Sequence, residues 1–124
     1  MKDEAAALCS GLCLIHCLAT PVLLSLGGLG LIGSAFTSEW VHVVLILPIA
    51  LLALASLPSG WKRHRRRLPF VAGSLGLALL VTALFAPHEA EAALSIGGGL
   101  LLIGAHLSNR FHCNRLLKAE NAAC

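Results

Sequence analysis

Four long stretches of this chain, residues 5–38, 40–61, 68–88 and 92–109, contain no Asp, Glu, Lys or Arg. Crossing the hydrocarbon of a bilayer as an α-helix takes about 20 consecutive apolar residues, so each stretch has room for one crossing. Inside lipid every backbone N–H and C=O must find its partner within the protein, which leaves helices and closed barrels. Barrel strands alternate apolar with polar residues. These stretches are continuous, rich in Leu and Ala, and the chain has no Tyr. The expected fold class is therefore all-α: a polytopic membrane protein, a four-transmembrane-helix bundle. It forms a single domain over residues 1–124, with helices near 8–33, 39–57, 68–86 and 92–110. With 57% hydrophobic and 12% charged residues, the chain has too little charge to clothe a soluble domain.

The first stretch is not read as a cleaved leader. Its head, Met1-Lys2-Asp3-Glu4, carries more acid than base, and its apolar run outlasts a signal-peptide core. Orientation follows from the nine basic residues. Lys2 precedes the first span, Lys62, Arg63, Arg65, Arg66 and Arg67 separate the second from the third, and Arg110, Arg115 and Lys118 follow the fourth. Four crossings put them all on one side, where three would split them. The positive-inside rule then makes both termini cytoplasmic. The opposite loops hold Glu39, His88, Glu89 and Glu91; acid and imidazole at a mouth without basic residues can concentrate cations, while Glu89 and Glu91 read as an ordinary polar loop. The basic run 62–67 reads as a topology signal that meets anionic headgroups, not as a nucleic-acid patch, because it is wedged between two apolar spans. His64 within it is expected to be solvated.

Glycines at 27, 28, 30, 33, 73, 76, 97, 98, 99 and 104 fit close helix packing, and Pro48 is expected to kink the second span. The chemistry gathers in the first span, where Cys9, Cys13, His16, Cys17, Thr20 and Pro21 follow one another. At about 100° per residue, the three Cys, His16 and Thr20 share one face. Pro21 has no N–H, so the Cys17 carbonyl loses its usual helical partner. Thiolates and imidazole suit soft or borderline metals such as Hg(II), Cu(I), Ag(I), Zn(II) and Cd(II). A disulfide fits poorly between cysteines at i and i+4, and a reducing cytoplasm disfavours it.

Free Cys is also at home in an apolar helix, and Cys9 by itself reads as packing. An ionisable His16 inside a span, between Cys13 and Cys17, is costly and points to function. His106, near the cytoplasmic end of the fourth span, is expected level with Cys9 and Cys13. Its alternative is a hydrogen bond to a neighbouring helix. Cys113 follows seven residues on, on the same face. His42 is the candidate ligand at the outer mouth. The second and third spans otherwise read as scaffold. No nucleotide loop, nucleophile elbow or haem motif is present, so the chain is not read as an enzyme.

At these residues the chain resembles the MerC family of mercuric-ion membrane transport proteins and its MerC-domain relatives. Cys13 and Cys17, with Pro21 after them, look like the family's first-helix cysteine pair. Residues 60–65, Gly-Trp-Lys-Arg-His-Arg, look like its Gly-Trp, His-Arg loop, and Cys113 and Cys124 stand where tail cysteines would be. The pair here is spaced C-x3-C with His16 inside, wider than in the mercury transporters proper. The resemblance implies a multi-pass protein of a bacterial inner membrane that takes up Hg(II) by thiolate ligand exchange. Cys13, Cys17 and His16 would receive the ion, and His106, Cys113, His42 and Cys9 are the further candidate ligands. The ion is cargo rather than a permanently bound cofactor. Its partners would be the lipid bilayer and cytosolic thiol acceptor proteins, without nucleic acid. A non-transporting membrane sensor or accessory for Zn or Cu, and a small structural membrane protein, stay open beside it.

Overall fold

The computed structural model describes residues 2–25 and 39–122 as four helices. They are α1 (Lys2–Ser25), α2 (Glu39–His64), α3 (Leu68–Ala83) and α4 (His88–Ala122). The expected positions 26–33 of the first helix, and the glycines there, lie outside the described residues. α4 is the central element: it packs along α1 and α3 and also meets α2, which in turn packs against both α1 and α3.

Outward faces are apolar on every helix. Leu8, Leu12 and Ile15 form such a stripe on α1, Val44, Leu47, Leu51 and Leu54 on α2, and Val71 and Leu75 on α3; all are exposed. A continuous apolar surface of this kind is a liability in water and natural against lipid. Val43–His64 and Ala90–Asn121 are each long and apolar enough to cross a membrane, and α3 is a shorter apolar helix. The apolar interior also holds polar groups: Ser10, Ser56, Ser95, His106 and Asn109 are buried.

α2 and α4 run past their expected ends for physical reasons. α2 continues past residue 57 to His64, so the first half of the basic run, Lys62, Arg63 and His64, is its last turn. Cations at a helix C-terminus meet the negative end of the helix dipole. Arg65 then adopts φ 58°, and its N–H donates to the Trp61 carbonyl at 2.8 Å, closing the helix with a left-handed residue. Trp61 stacks on Phe70 across the short connection, with ring centroids 5.1 Å apart. α4 extends beyond 92–110 in both directions, with Glu91 in its early turns and a polar continuation after Asn109.

Glycine fixes the tightest crossing. A Cβ on Gly98 would stand 2.7 Å from the Gly76 carbonyl oxygen, and one on Gly76 would stand 2.8 Å from that of Gly98. α3 and α4 thus meet backbone to backbone, as small residues permit between membrane helices.

Candidate metal-transfer site

The buried face of α1 repeats at intervals of three and four residues: Ala6, Ser10, Cys13 and Cys17 all point into the bundle. Cys13 is 2% exposed and Cys17 8%. Both belong to the common core with Ile46, Ile49 and Ala53 of α2, Leu80 of α3, and Leu102 and Ala105 of α4. Their side chains lie in hydrogen-bonding contact with each other. No disulfide joins the described cysteines. Geometry explains this, because Cβ atoms at i and i+4 are about 5–6 Å apart on a helix, beyond the ~3.8 Å of a disulfide. A metal between two sulfurs, at about 2.3 Å per bond, spans such a gap.

Cys9 is half-buried one turn before Cys13, and His16 is half-buried on the flank of the same face. The side chains of Thr20, Pro21 and His42, the side chains of Glu39, His88 and Glu89, and all of Cys124 lie outside the described residues.

His106 is not level with Cys9 and Cys13. Gly99 faces Ser10 and Leu14, whose nearest atoms lie 3.9 Å from a Cβ placed there. His106 is seven residues further along α4, hence about 10 Å nearer the end of the bundle that carries the basic residues. It meets Asp3 instead. The reason lies in α1, which starts at Lys2 instead of near residue 8 and so carries its thiols deeper into the bundle.

At that basic end three helices join through buried polar groups. The His106 Nδ1–H donates to Asp3 Oδ1 at 3.0 Å, and Ser56 Oγ of α2 lies 3.2 Å from the same nitrogen. The Asn109 amide donates to both Asp3 oxygens, at 3.1 and 3.0 Å. The Asn109 carbonyl oxygen accepts from His64 Nε2–H at 2.9 Å. His64 Nδ1 accepts the Arg66 backbone N–H at 3.1 Å, which fixes the His64 proton on Nε2. His64 is thus a half-buried member of this network, not the solvated loop residue expected. α2 is more than scaffold, because it supplies Ser56 and His64 and places Gly60 where Asn109 presses against it.

Burial pushes the Asp3 carboxyl up. The hydrogen bonds it accepts from His106, Asn109 and Ser56 outweigh this and hold it below the ordinary carboxylate value. Arg110 pairs with Glu4 beside it. Cys113 is partly buried; burial and then the Asp3 charge push its thiol up, while Arg63 opposes them.

Among the described residues no three His, Cys, Asp or Glu side chains converge on a common metal position. The arrangement is a series: the Cys13–Cys17 pair within the core, Cys9 a turn nearer the basic end, then His106, then Cys113. Sequence reading missed Asp3, Ser56 and Asn109. The signal for Asp3 was present, since the three-and-four spacing of Cys17, Cys13, Ser10 and Ala6 runs on to it.

A family model described as MerC mercury resistance protein matches residues 3–111, the span from Asp3 to just past Asn109. No curated protein and no solved structure matches the chain.

Proposed function

The chain belongs to the MerC mercury resistance protein family, and from that premise we propose that it carries Hg(II) into the cell along the cysteine face of α1. Membership makes it a polytopic membrane protein of mercury resistance and not an enzyme. It points to mercury rather than to zinc or copper.

The observation that carries the reading is the Cys13–Cys17 pair, two thiols in mutual contact inside the core of the bundle. Two thiolates suit a soft ion, and each releases its proton as the metal–sulfur bond forms. Such binding is tight, so onward movement needs a new thiolate to bond the ion before an old one leaves, in the manner of thiol exchange. Successive thiols at i and i+4 are about 6 Å apart along the axis, so one ion can be shared between neighbours. Cys17, Cys13 and Cys9 form that descending series. His16, on the flank, adjusts the coordination of the ion between Cys13 and Cys17. His106 and Cys113 follow towards the basic end, and cytosolic thiol proteins receive the ion there. The direction rests on the positive-inside rule, with the basic loop and both described chain ends in the cytoplasm. His42 belongs to the entrance in this scheme.

The test is Hg(II) uptake into cells and into vesicles holding the purified protein. Cys13→Ser with Cys17→Ser is expected to abolish both uptake and the sensitisation of cells to Hg(II). Uptake unchanged in that variant would overturn the thiol route. Hg(II) bound by the wild-type protein but not moved across the vesicle membrane would replace the transporter by a metal-holding accessory.

A further inference from the structure

Two buried polar atoms in the seam between α1 and α4 have no hydrogen-bond partner: Ser10 Oγ and His106 Nε2. Leaving a buried polar group unpaired costs about 1–3 kcal/mol, so each asks for an explanation. For His106 the rest of the ring supplies one. Both Ser10 and His106 are 0% exposed. The Asp3 carboxylate only accepts, so Nδ1 of His106 carries the proton that it donates over 3.0 Å. Ser56 Oγ, at 3.2 Å, accepts a share of the same hydrogen, while its own hydroxyl donates to Asp3. Asn109 holds both oxygens of Asp3 in place. In the neutral ring Nε2 then presents a bare lone pair, in a protein interior, with no donor to satisfy it.

We propose that His106 Nε2 is a metal station of its own, made ready by Asp3, which acts as its positioning residue. A carboxylate behind one ring nitrogen fixes the tautomer, aims the ring and strengthens the other nitrogen as a ligand, which is the support that metal-binding histidines use. The ligand class is a soft or borderline cation that accepts imidazole. The inference rests on the reading that this chain moves Hg(II), and adds a nitrogen step between the thiols of α1 and Cys113.

The step balances simply. A metal–sulfur bond to an α1 thiolate breaks, a metal–nitrogen bond to Nε2 forms, and no proton is released because Nε2 carries none. A single nitrogen holds such an ion less firmly than two thiolates do. The station therefore loosens the ion near the basic end, where release is needed. Asp3 contributes a negative charge there without touching the ion.

The experiment uses the full-length protein in detergent micelles, with ¹⁵N-labelled histidine and HgCl₂ as the probe. His106→Gln identifies the His106 signals. Before metal is added, two-bond ¹H–¹⁵N spectra are expected to show Nδ1 protonated and Nε2 bare. Added Hg(II) is expected to displace the Nε2 resonance of His106 and leave Nδ1 protonated. Asp3→Asn, whose amide can donate to Nδ1 and reverse the tautomer, is expected to weaken Hg(II) at His106 by about 10–100-fold, and Asp3→Glu to restore it. A proton found on Nε2 in the wild-type protein, or an Nε2 signal unmoved at saturating Hg(II), would overturn the proposal without any variant having to fold. The Cys13→Ser, Cys17→Ser protein separates the two readings. There the His106 shift on direct addition of Hg(II) is expected to persist while uptake is lost. Full uptake with the shift intact would remove the thiol route and keep the nitrogen station.

Discussion

At the scale of single residues, about half of the chemistry of this chain is legible in its sequence. Cys13, His16 and Cys17 announce themselves, because soft ligands one turn apart in an apolar span have few other uses. Asp3 and Asn109 do not. Each is ordinary in sequence, and their meaning comes from partners about a hundred positions away, Asp3 with His106 and Asn109. His64 departs from expectation for the same cause, since its position in a basic run suggests solvent while the fold brings Asn109 to it. Asp3 also sets a pH dependence. Its folded carboxyl titrates below the ordinary value, so its contribution to stability is fully present above the unfolded value of about 3.9 and is lost as pH falls through the folded one. Thermal unfolding in detergent should therefore show the wild-type protein ahead of Asp3→Asn at neutral pH. The gap should close as the pH is taken below the ordinary carboxylate range. A gap that stays constant down to strong acid would show that the Asp3 charge is not what holds the network.

At the scale of elements, periodicity and charge place four helices in order but do not end them correctly. The expected second span stops at residue 57; the helix instead carries Pro58 within it and ends at His64, with Arg65 after it in a left-handed conformation. Interior glycines are legible as packing residues, yet their partners are not, and those partners make the glycines unequal. Gly98 faces the Gly76 backbone, while Gly104 has nothing within 4 Å of an added Cβ. Gly98→Ala should push α3 from α4 and cost about 1–3 kcal/mol, the range of overpacked cores. Gly104→Ala should be neutral or slightly stabilising, since Ala is the better helix former. Melting temperatures of the two purified variants, side by side, check this. Equal values would mean that the Gly76–Gly98 crossing is looser than its geometry implies.

At the scale of the whole molecule, the polar and apolar halves of the problem are solved in different places. Large aliphatic side chains face both outward and into the core, whereas Cys13, Cys17, His106 and Asn109 are gathered only inside. The bundle is held at its basic end by a network that touches α1, α2 and α4, whereas α3 joins chiefly by its glycine contact with α4. The count and order of spans are legible because the nine basic residues sort themselves to one side. The depth of the thiols is not, since it depends on where α1 begins, and it begins before the charge-free stretch opens at residue 5.

The 16 residues of α3 have a consequence for the membrane around it. At 1.5 Å per residue they span about 24 Å, against roughly 30 Å of hydrocarbon in a typical bilayer. The turn at residues 84–86, closed by bonds from Leu84 to Val81, Phe85 to Thr82 and Ala86 to Ala83, has to make up the difference. α2, with 26 residues, has length to spare. The protein therefore meets its lipids with one thin flank, and the acyl chains beside α3 must shorten to match it at a cost of fractions of a kcal/mol per Å. Reconstituted into a series of lecithins of increasing chain length, it should be most stable in the thinner bilayers and lose stability steadily as they thicken. A response indifferent to chain length would mean that α3 tilts or extends freely. Bilayer thickness would then have no hold on the shortest of the described helices.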